Sequence, residues 1–205
     1  MNIDFNPGTH EYTVSGKVKR STTQIITDLG LAPPYADNQQ AKEFGTWVHK
    51  ACEFAAWDKL DDAATSPVTM LPYINGFREK AAELKIRPIA TELLVYHGLL
   101  DYCGTLDLLC WINADELAIV DFKCGQPPPC VELQTAGYVV ALKWMSQKAQ
   151  IAGLSARKLN AIRRFSMQLL PDRAILRECP DPFDLTAWEG AVNLWKWKRF
   201  RRDQR

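Results

Sequence analysis

The sequence predicts an α/β fold: a central mixed β-sheet of about four or five strands flanked by helices. Three observations predict it. Residues 106–112 and 117–122 form two neighbouring runs that are apolar on both faces, as strands covered on both sides are. Before them, Ala41, Phe44, Val48, Ala51 and Ala55 recur at helical spacing and form one apolar stripe. After them, Pro127-Pro128-Pro129 interrupts the chain and a second helical pattern begins at about residue 131.

The elements follow in order. His10-Glu11-Tyr12-Thr13-Val14 alternates and ends at Ser15-Gly16, which reads as half of a hairpin. Ser21 is placed to cap a short helix over 22–29, stopped by Gly30. Residues 31–38, with Pro33-Pro34, read as loop. Helices are expected over about 39–59 and 71–85, then strands over about 89–96, 102–112 and 117–124. A helix over about 131–148 is followed by a hairpin, 161–170 and 173–177, turning at Pro171-Asp172. A last helix runs from about Asp184. One domain is expected over 1–205: an N-terminal hairpin and helices (1–88), a sheet with its following helix (89–150), and a C-terminal hairpin and basic helix (154–205). No repeat or low-complexity linker interrupts it.

Composition narrows the function classes. At 205 residues, 47% apolar and 24% charged, the chain is long enough for a real core and has the make-up of a globular protein. Net charge is +1, so any nucleic-acid footprint must be local rather than global. No basic-then-apolar leader opens the chain, and no apolar run approaches the roughly 18 residues of a membrane span. The six cysteines show neither a CxxC pair nor a disulfide-like framework, which suits a reducing cytoplasm.

The chemistry is concentrated in Gly104-Thr105-Leu106-Asp107 and Asp121-Phe122-Lys123. Residues two apart on a strand point to the same face, so Asp121 and Lys123 belong together. The loop Asn113-Ala114-Asp115 would pair Ile112 with Glu116 and bring Asp107 opposite Asp121, whereas a one-residue slip would separate the carboxylates. Two carboxylates and a backbone carbonyl, that of Phe122, suit Mg²⁺ or Mn²⁺. Such a cation neutralises charge building on a scissile phosphate and lowers the pKa of attacking water. Lys123 would orient or help deprotonate that water and stabilise the transition state. The bland alternative is a solvated Asp–Lys pair at a strand end.

The other candidates carry similar alternatives. His49, one turn after the notch left by Gly45, is either a ligand or a core-edge histidine. Glu92, an acid in an apolar strand, is either a third acidic ligand or an edge residue. Gln134 and Tyr138 share a helix face with Ala141 and Met145; they can bond phosphate or base edges, or form a buried tyrosine with a bonded tip. From Lys196 to Arg205 there are six basic residues and one acid, with Trp188, Trp195 and Trp197 before and among them. Lys196, Lys198 and Arg199 then suit a single-strand track, or a solvated helix whose tryptophans face the core. Arg163-Arg164 repeats that ambiguity on a strand.

In that order, Gly45-Thr46-Trp47-Val48-His49, Glu92, Gly104-x-x-Asp107, Asp121-x-Lys123 and Gln134-x-x-x-Tyr138 resemble the PD-(D/E)XK nuclease superfamily. The likeness is to its RecB-type branch, including phage-type exonucleases, and covers roughly residues 8–200. It implies a restriction-endonuclease-like core and Mg²⁺- or Mn²⁺-dependent hydrolysis of DNA in recombination, repair or phage DNA processing, exonucleolytic rather than endonucleolytic. His49, Asp107, Asp121 and the Phe122 carbonyl would bind metal. Lys123 would be the catalytic lysine and Glu92 an accessory acid, and Gln134 and Tyr138 would contact DNA. It also implies a recombination partner such as a single-strand annealing protein, in a bacterial or phage-infected cytoplasm. Leu106 stands where the family name has proline, which removes no reacting group. Some members hold an iron–sulfur cluster through three cysteines after the Gln–Tyr helix; only Cys179 follows Tyr138 here, so none is expected. Cys124 and Cys130 lack the companion pair that zinc would need. A structure-specific endonuclease and a non-catalytic DNA-binding or inhibitor protein are the rival readings.

Overall fold

The computed structural model describes residues 2–33, 39–61, 69–147 and 154–202. Part of the expected loop at 31–38 and the end of the helix expected to reach 148 lie outside them.

The chain opens with a three-stranded antiparallel meander, β1 (Ile3–Asn6), β2 (Glu11–Val14) and β3 (Lys17–Ser21). Only β2 was expected. The flanking strands are short, and β3 is mostly charged, so neither has a periodic apolar signal. Ser21 ends β3 and caps α1 (Thr22–Asp28): its hydroxyl accepts from the Gln24 amide, and the Gln24 side chain accepts from the Ser21 N–H. Gly30 closes the helix with φ +74, a conformation that costs glycine nothing.

Helices α2 (Gln39–Ala56) and α3 (Leu71–Glu83) precede three long strands, β4 (Arg87–His97), β5 (Tyr102–Ile112) and β6 (Glu116–Cys124). Then come α4 (Val131–Gln147), a short α5 (Ala156–Asn160), the strands β7 (Arg163–Leu169) and β8 (Ala174–Glu178), and α6 (Phe183–Arg202). The strands make one mixed sheet of eight rather than four or five. Pairing is antiparallel for β4–β5, β5–β6 and β7–β8, and parallel for β3–β5 and β6–β7. No helix among the described residues is long and apolar enough to cross a membrane.

Helices cover both faces, which is why β5 and β6 read as continuously apolar. On one face α2 and α3 pack over Leu108, Cys110, Ala118, Val120 and Phe122. On the other, α1, α4 and α6 enclose Tyr102, Leu106, Leu109, Leu117 and Ile119. The tryptophan question of α6 is answered there. Trp188 and Trp195 are buried, with Trp195 Nε1 donating to Asp28 at 2.8 Å, and only Trp197 is exposed. Cys124 packs on the α2 face and Cys130 on the α4 face.

The site is made by an irregularity in β5. A strand has two edges. One edge of β5 is taken by β4 over nearly its whole length. The other is shared: β3 pairs with Tyr102 and Cys103, and β6 with residues 108–112. Residues 104–107 therefore have no ladder partner on that edge. Leu106 and Leu109 both face the α4 side, so the strict alternation of β5 breaks between them, at Asp107. A fork opens where β6 leaves β5.

Close packing holds α4 over the fork. A Cβ on Gly104 would come within 2.7 Å of the Tyr138 ring. Gly104→Ala is therefore expected to push Tyr138 aside at a cost of about 1–3 kcal/mol, the usual penalty of overpacking. Denaturant unfolding measures it, and an unchanged midpoint would mean that the ring yields freely.

Candidate functional site

The register of the central hairpin agrees with the sequence expectation. Ile112 pairs with Glu116 and Leu108 with Val120, which aligns Asp107 with Asp121. The ladder stops one step short of them. The carboxylate of Asp107 replaces it: Oδ2 accepts the Phe122 backbone N–H at 2.6 Å. A backbone donor that the diverging strands would leave unpaired is satisfied by a side chain.

Asp121 is 1% exposed, and its two oxygens are held differently. Oδ1 accepts from the Gln134 side-chain amide at 2.9 Å. Oδ2 lies 2.5 Å from the Lys123 ammonium but has no partner in regular hydrogen-bond geometry. Burial is the main reason that the Asp121 carboxyl is pushed up to about 6; Lys123 opposes that shift and Asp107 adds to it. Burial likewise raises Asp107, against Lys123 and the Phe122 N–H.

His49 enters from α2. Its Nδ1 is 3.9 Å from Asp107 Oδ2, too long for a hydrogen bond, and its ring meets Phe122 edge-on. Burial, then the Lys123 charge, lowers its pKa to about 4, against Asp121. The imidazole is neutral at pH 7 and keeps a lone pair to offer. Gly45 is not a steric requirement: a Cβ there would make an ordinary 3.8 Å contact with Cys124.

Glu92 sits mid-strand rather than at a strand end. Its neighbours pair as Thr91 with Leu108 and Leu93 with Leu106, which puts Glu92 level with Asp107. Its φ is +48, in the left-handed region that costs a non-glycine residue roughly 1–2 kcal/mol. The strain turns its side chain into the cleft beside Asp107. Desolvation, then Asp107 and Glu53, push its carboxyl up to about 7.

Gln134 and Tyr138 do not face outward as DNA-contacting groups. Both are buried, and the Gln134 amide donates to Asp121 Oδ1 and to the Tyr138 hydroxyl at 2.8 Å. Both amide protons are thus used inside the protein. Gln134 orients the buried carboxylate, while Tyr138 still lines the cleft. The helix period identified the shared face; the partner, Asp121, lay thirteen residues away and had no local signal. Gln134→Leu should leave the fold standing and weaken Mn²⁺ affinity about 10–100-fold, as loss of a ligand-orienting hydrogen bond does. Calorimetry checks this, and wild-type affinity would remove Gln134 from the site.

Lys196, Lys198 and Arg199 lie elsewhere. Lys196 donates to the Leu99 carbonyl, and the Arg199 guanidinium stacks over Trp195. Lys196 and Arg199 line a separate cleft with Lys19, Arg20 and Asp101. That cleft shares no lining residue with the one containing His49, Glu92 and Asp107. Arg164 is also removed from any strand track: it is buried and bonded to Glu132, Asp181 and Asp184.

The sequence reading missed the cleft's other walls. Phe5, His10 and Tyr12 come from the N-terminal meander, and Trp47 from α2. The aromatic spacing of β2 and an indole off the α2 stripe were their only signals. Among the described residues, no three His, Cys, Asp or Glu side chains close round a metal position unaided.

No family model matches the chain, and no curated protein matches it. Two solved structures are similar over most of its length. The crystal structure of SSO0001 is 11% identical with a TM-score of 0.36, over 84% of this chain and 83% of that one. The crystal structure of LHK-Exo in complex with dAMP is 13% identical with a TM-score of 0.35, over 88% and 87%. The fold class stated above rests on the chain's own sheet and helices.

The cluster makes a prediction about stability against pH. Asp121 titrates higher folded than unfolded, so the folded state binds more protons between about 4 and 6, and stability falls as pH rises there. His49 titrates lower folded than unfolded, so between about 4 and 6.5 stability rises with pH. The two nearly cancel in the wild type without metal. Asp121→Asn should expose the rising limb and His49→Gln the falling one, each on the order of 2–3 kcal/mol at most. Thermal melts across pH 4–7 in chelator measure both, and parallel profiles for the two variants would contradict these assignments.

Proposed function

We propose that the protein is a metal-dependent deoxyribonuclease of PD-(D/E)XK type, with its centre at the fork between β5 and β6. The observation that carries this reading is the buried, partly unsatisfied Asp121 carboxylate, with Lys123, Asp107 and His49 around it. Burying such a group is costly and has no evident structural return. A divalent cation offsets the cost.

The residues fit Mg²⁺ or Mn²⁺. The separation of 3.9 Å between His49 Nδ1 and Asp107 Oδ2 suits two ligands of one small ion, roughly 3–4 Å apart for bonds of about 2.1 Å. Mg²⁺ commonly keeps several waters beside one or two carboxylates, so a group short of three converged side chains agrees with it. His49, Asp107, Asp121 and the Phe122 carbonyl would hold the ion. When bound, it would supply positive charge at the scissile phosphate and acidify the attacking water.

The chain's own residues do the rest. Gln134 holds Asp121 in one orientation. The Lys123 ammonium stands beside Asp121, where negative charge builds on the phosphoryl oxygens. Glu92, with its raised pKa and cleft position, is suited to pass a proton near neutrality. A partner protein in recombination and a bacterial or phage-infected cytoplasm belong to the same reading and rest on the resemblance.

Exonucleolytic action is the preferred form, and end-labelled linear and covalently closed circular DNAs test it. Mn²⁺-dependent release of mononucleotides from the linear form, with circles intact, is expected. Nicked or linearised circles would favour the endonuclease.

A further inference from the structure

The cleft beside the fork has a volume of about 450 Å³, within the range of small-ligand sites. One wall is an aromatic group from the N-terminal meander. The Phe5 and Tyr12 rings are 4.5 Å apart with an interplanar angle of 34°, and Phe5 meets His10 edge-on at 5.2 Å. This wall is braced from behind: the Tyr12 hydroxyl is 2.7 Å from Thr105 Oγ1 on β5, and the Gln24 side chain contacts the His10 carbonyl. The other wall carries Trp47, 65% exposed, against which no aromatic ring packs among the described residues. His49, Glu92, Asp107 and Tyr138 line the same cleft.

A large indole left in water is the informative kind of surface residue. Trp47 could have joined the apolar stripe of α2 one position along; instead it borders a cleft whose opposite wall is also aromatic. Flat π-faces on two sides bind flat π-systems, and they do so without sequence preference. A cation needs only one face, and an aliphatic chain needs none.

We propose that this cleft is a base-binding subsite, taking one unpaired nucleobase between Trp47 and the Phe5–His10–Tyr12 wall while its phosphate lies at the fork. The proposal rests on the nuclease reading and adds the substrate class: single-stranded or frayed ends. A base can enter only after leaving its stack, and a blunt duplex end must lose a pair first, at a few kcal/mol. Ends already unpaired avoid that cost.

The test is binding in chelator, where the metal-dependent reaction does not run. An oligonucleotide with a terminal 2-aminopurine reports stacking by fluorescence quenching, and a matched oligonucleotide with an abasic terminus removes the base. Wild type should quench the probe and bind it about tenfold more tightly than the abasic strand, the size of one base–aromatic contact. Trp47→Ala should lose both the quenching and the difference, while Trp47→Phe retains most of each. Trp47 lies outside the core, so both variants should keep the wild-type circular dichroism. Binding without quenching, or equal affinity of wild type for the base-bearing and abasic strands, overturns the subsite and leaves the nuclease reading standing. No binding to either strand, with no Mn²⁺-dependent cleavage, overturns both.

Discussion

Asp121→Asn should abolish Mn²⁺ binding and DNA cleavage together while leaving the protein folded, and no less stable at neutral pH. The buried carboxylate is charged there at a solvation cost that burial expresses as its raised pKa. Asparagine keeps the shape and still accepts the Gln134 hydrogen bond through its carbonyl oxygen. It removes the charge that holds the ion. Cleavage should fall by more than about 10³, exceeding the loss of a single electrostatic donor, because ligand and charge go at once. DNA binding without metal should hold or improve as repulsion of phosphates is relieved. Calorimetric Mn²⁺ titration beside a cleavage assay and a denaturant melt reads all three. A variant keeping both metal and activity would place the centre elsewhere.

Lys123→Ala should separate chemistry from metal binding. The ammonium is not a ligand, so most of the Mn²⁺ affinity should survive. The rate should fall by on the order of 10²–10³, the loss of one charge placed against the transition state. Lys123 also lowers the Asp121 pKa, so without it Asp121 holds its proton to higher pH. The pH at which Mn²⁺ binding reaches half its plateau should therefore move upward. Cleavage at the wild-type rate, or a downward shift, would contradict the role given to Lys123.

Much of the fork was legible in the sequence because a hairpin is a local object. The three-residue loop set the register from Ile112–Glu116 inward, and the two apolar strands announced a sheet covered on both sides. What periodicity does not record is where a ladder ends. Pairing stops at Leu108–Val120 because the Asp107 side chain captures the Phe122 N–H. The left-handed backbone of Glu92 is equally silent, since nothing about a glutamate in an apolar strand signals positive φ. Gln134 was read as facing outward because helix spacing gives the face but not what lies opposite. Strands β1 and β3 escaped notice because four or five residues, half of them polar, carry too little pattern. Their pairing with β2 and β5 is non-local.

The most direct test of the account is the rate of cleavage of end-labelled linear DNA as Mn²⁺ is raised from chelated to saturating levels. The account predicts no cleavage in chelator and a saturable rise with Mn²⁺, both lost in Asp121→Asn. Cleavage undiminished by chelator, or none at any Mn²⁺ concentration, would contradict it.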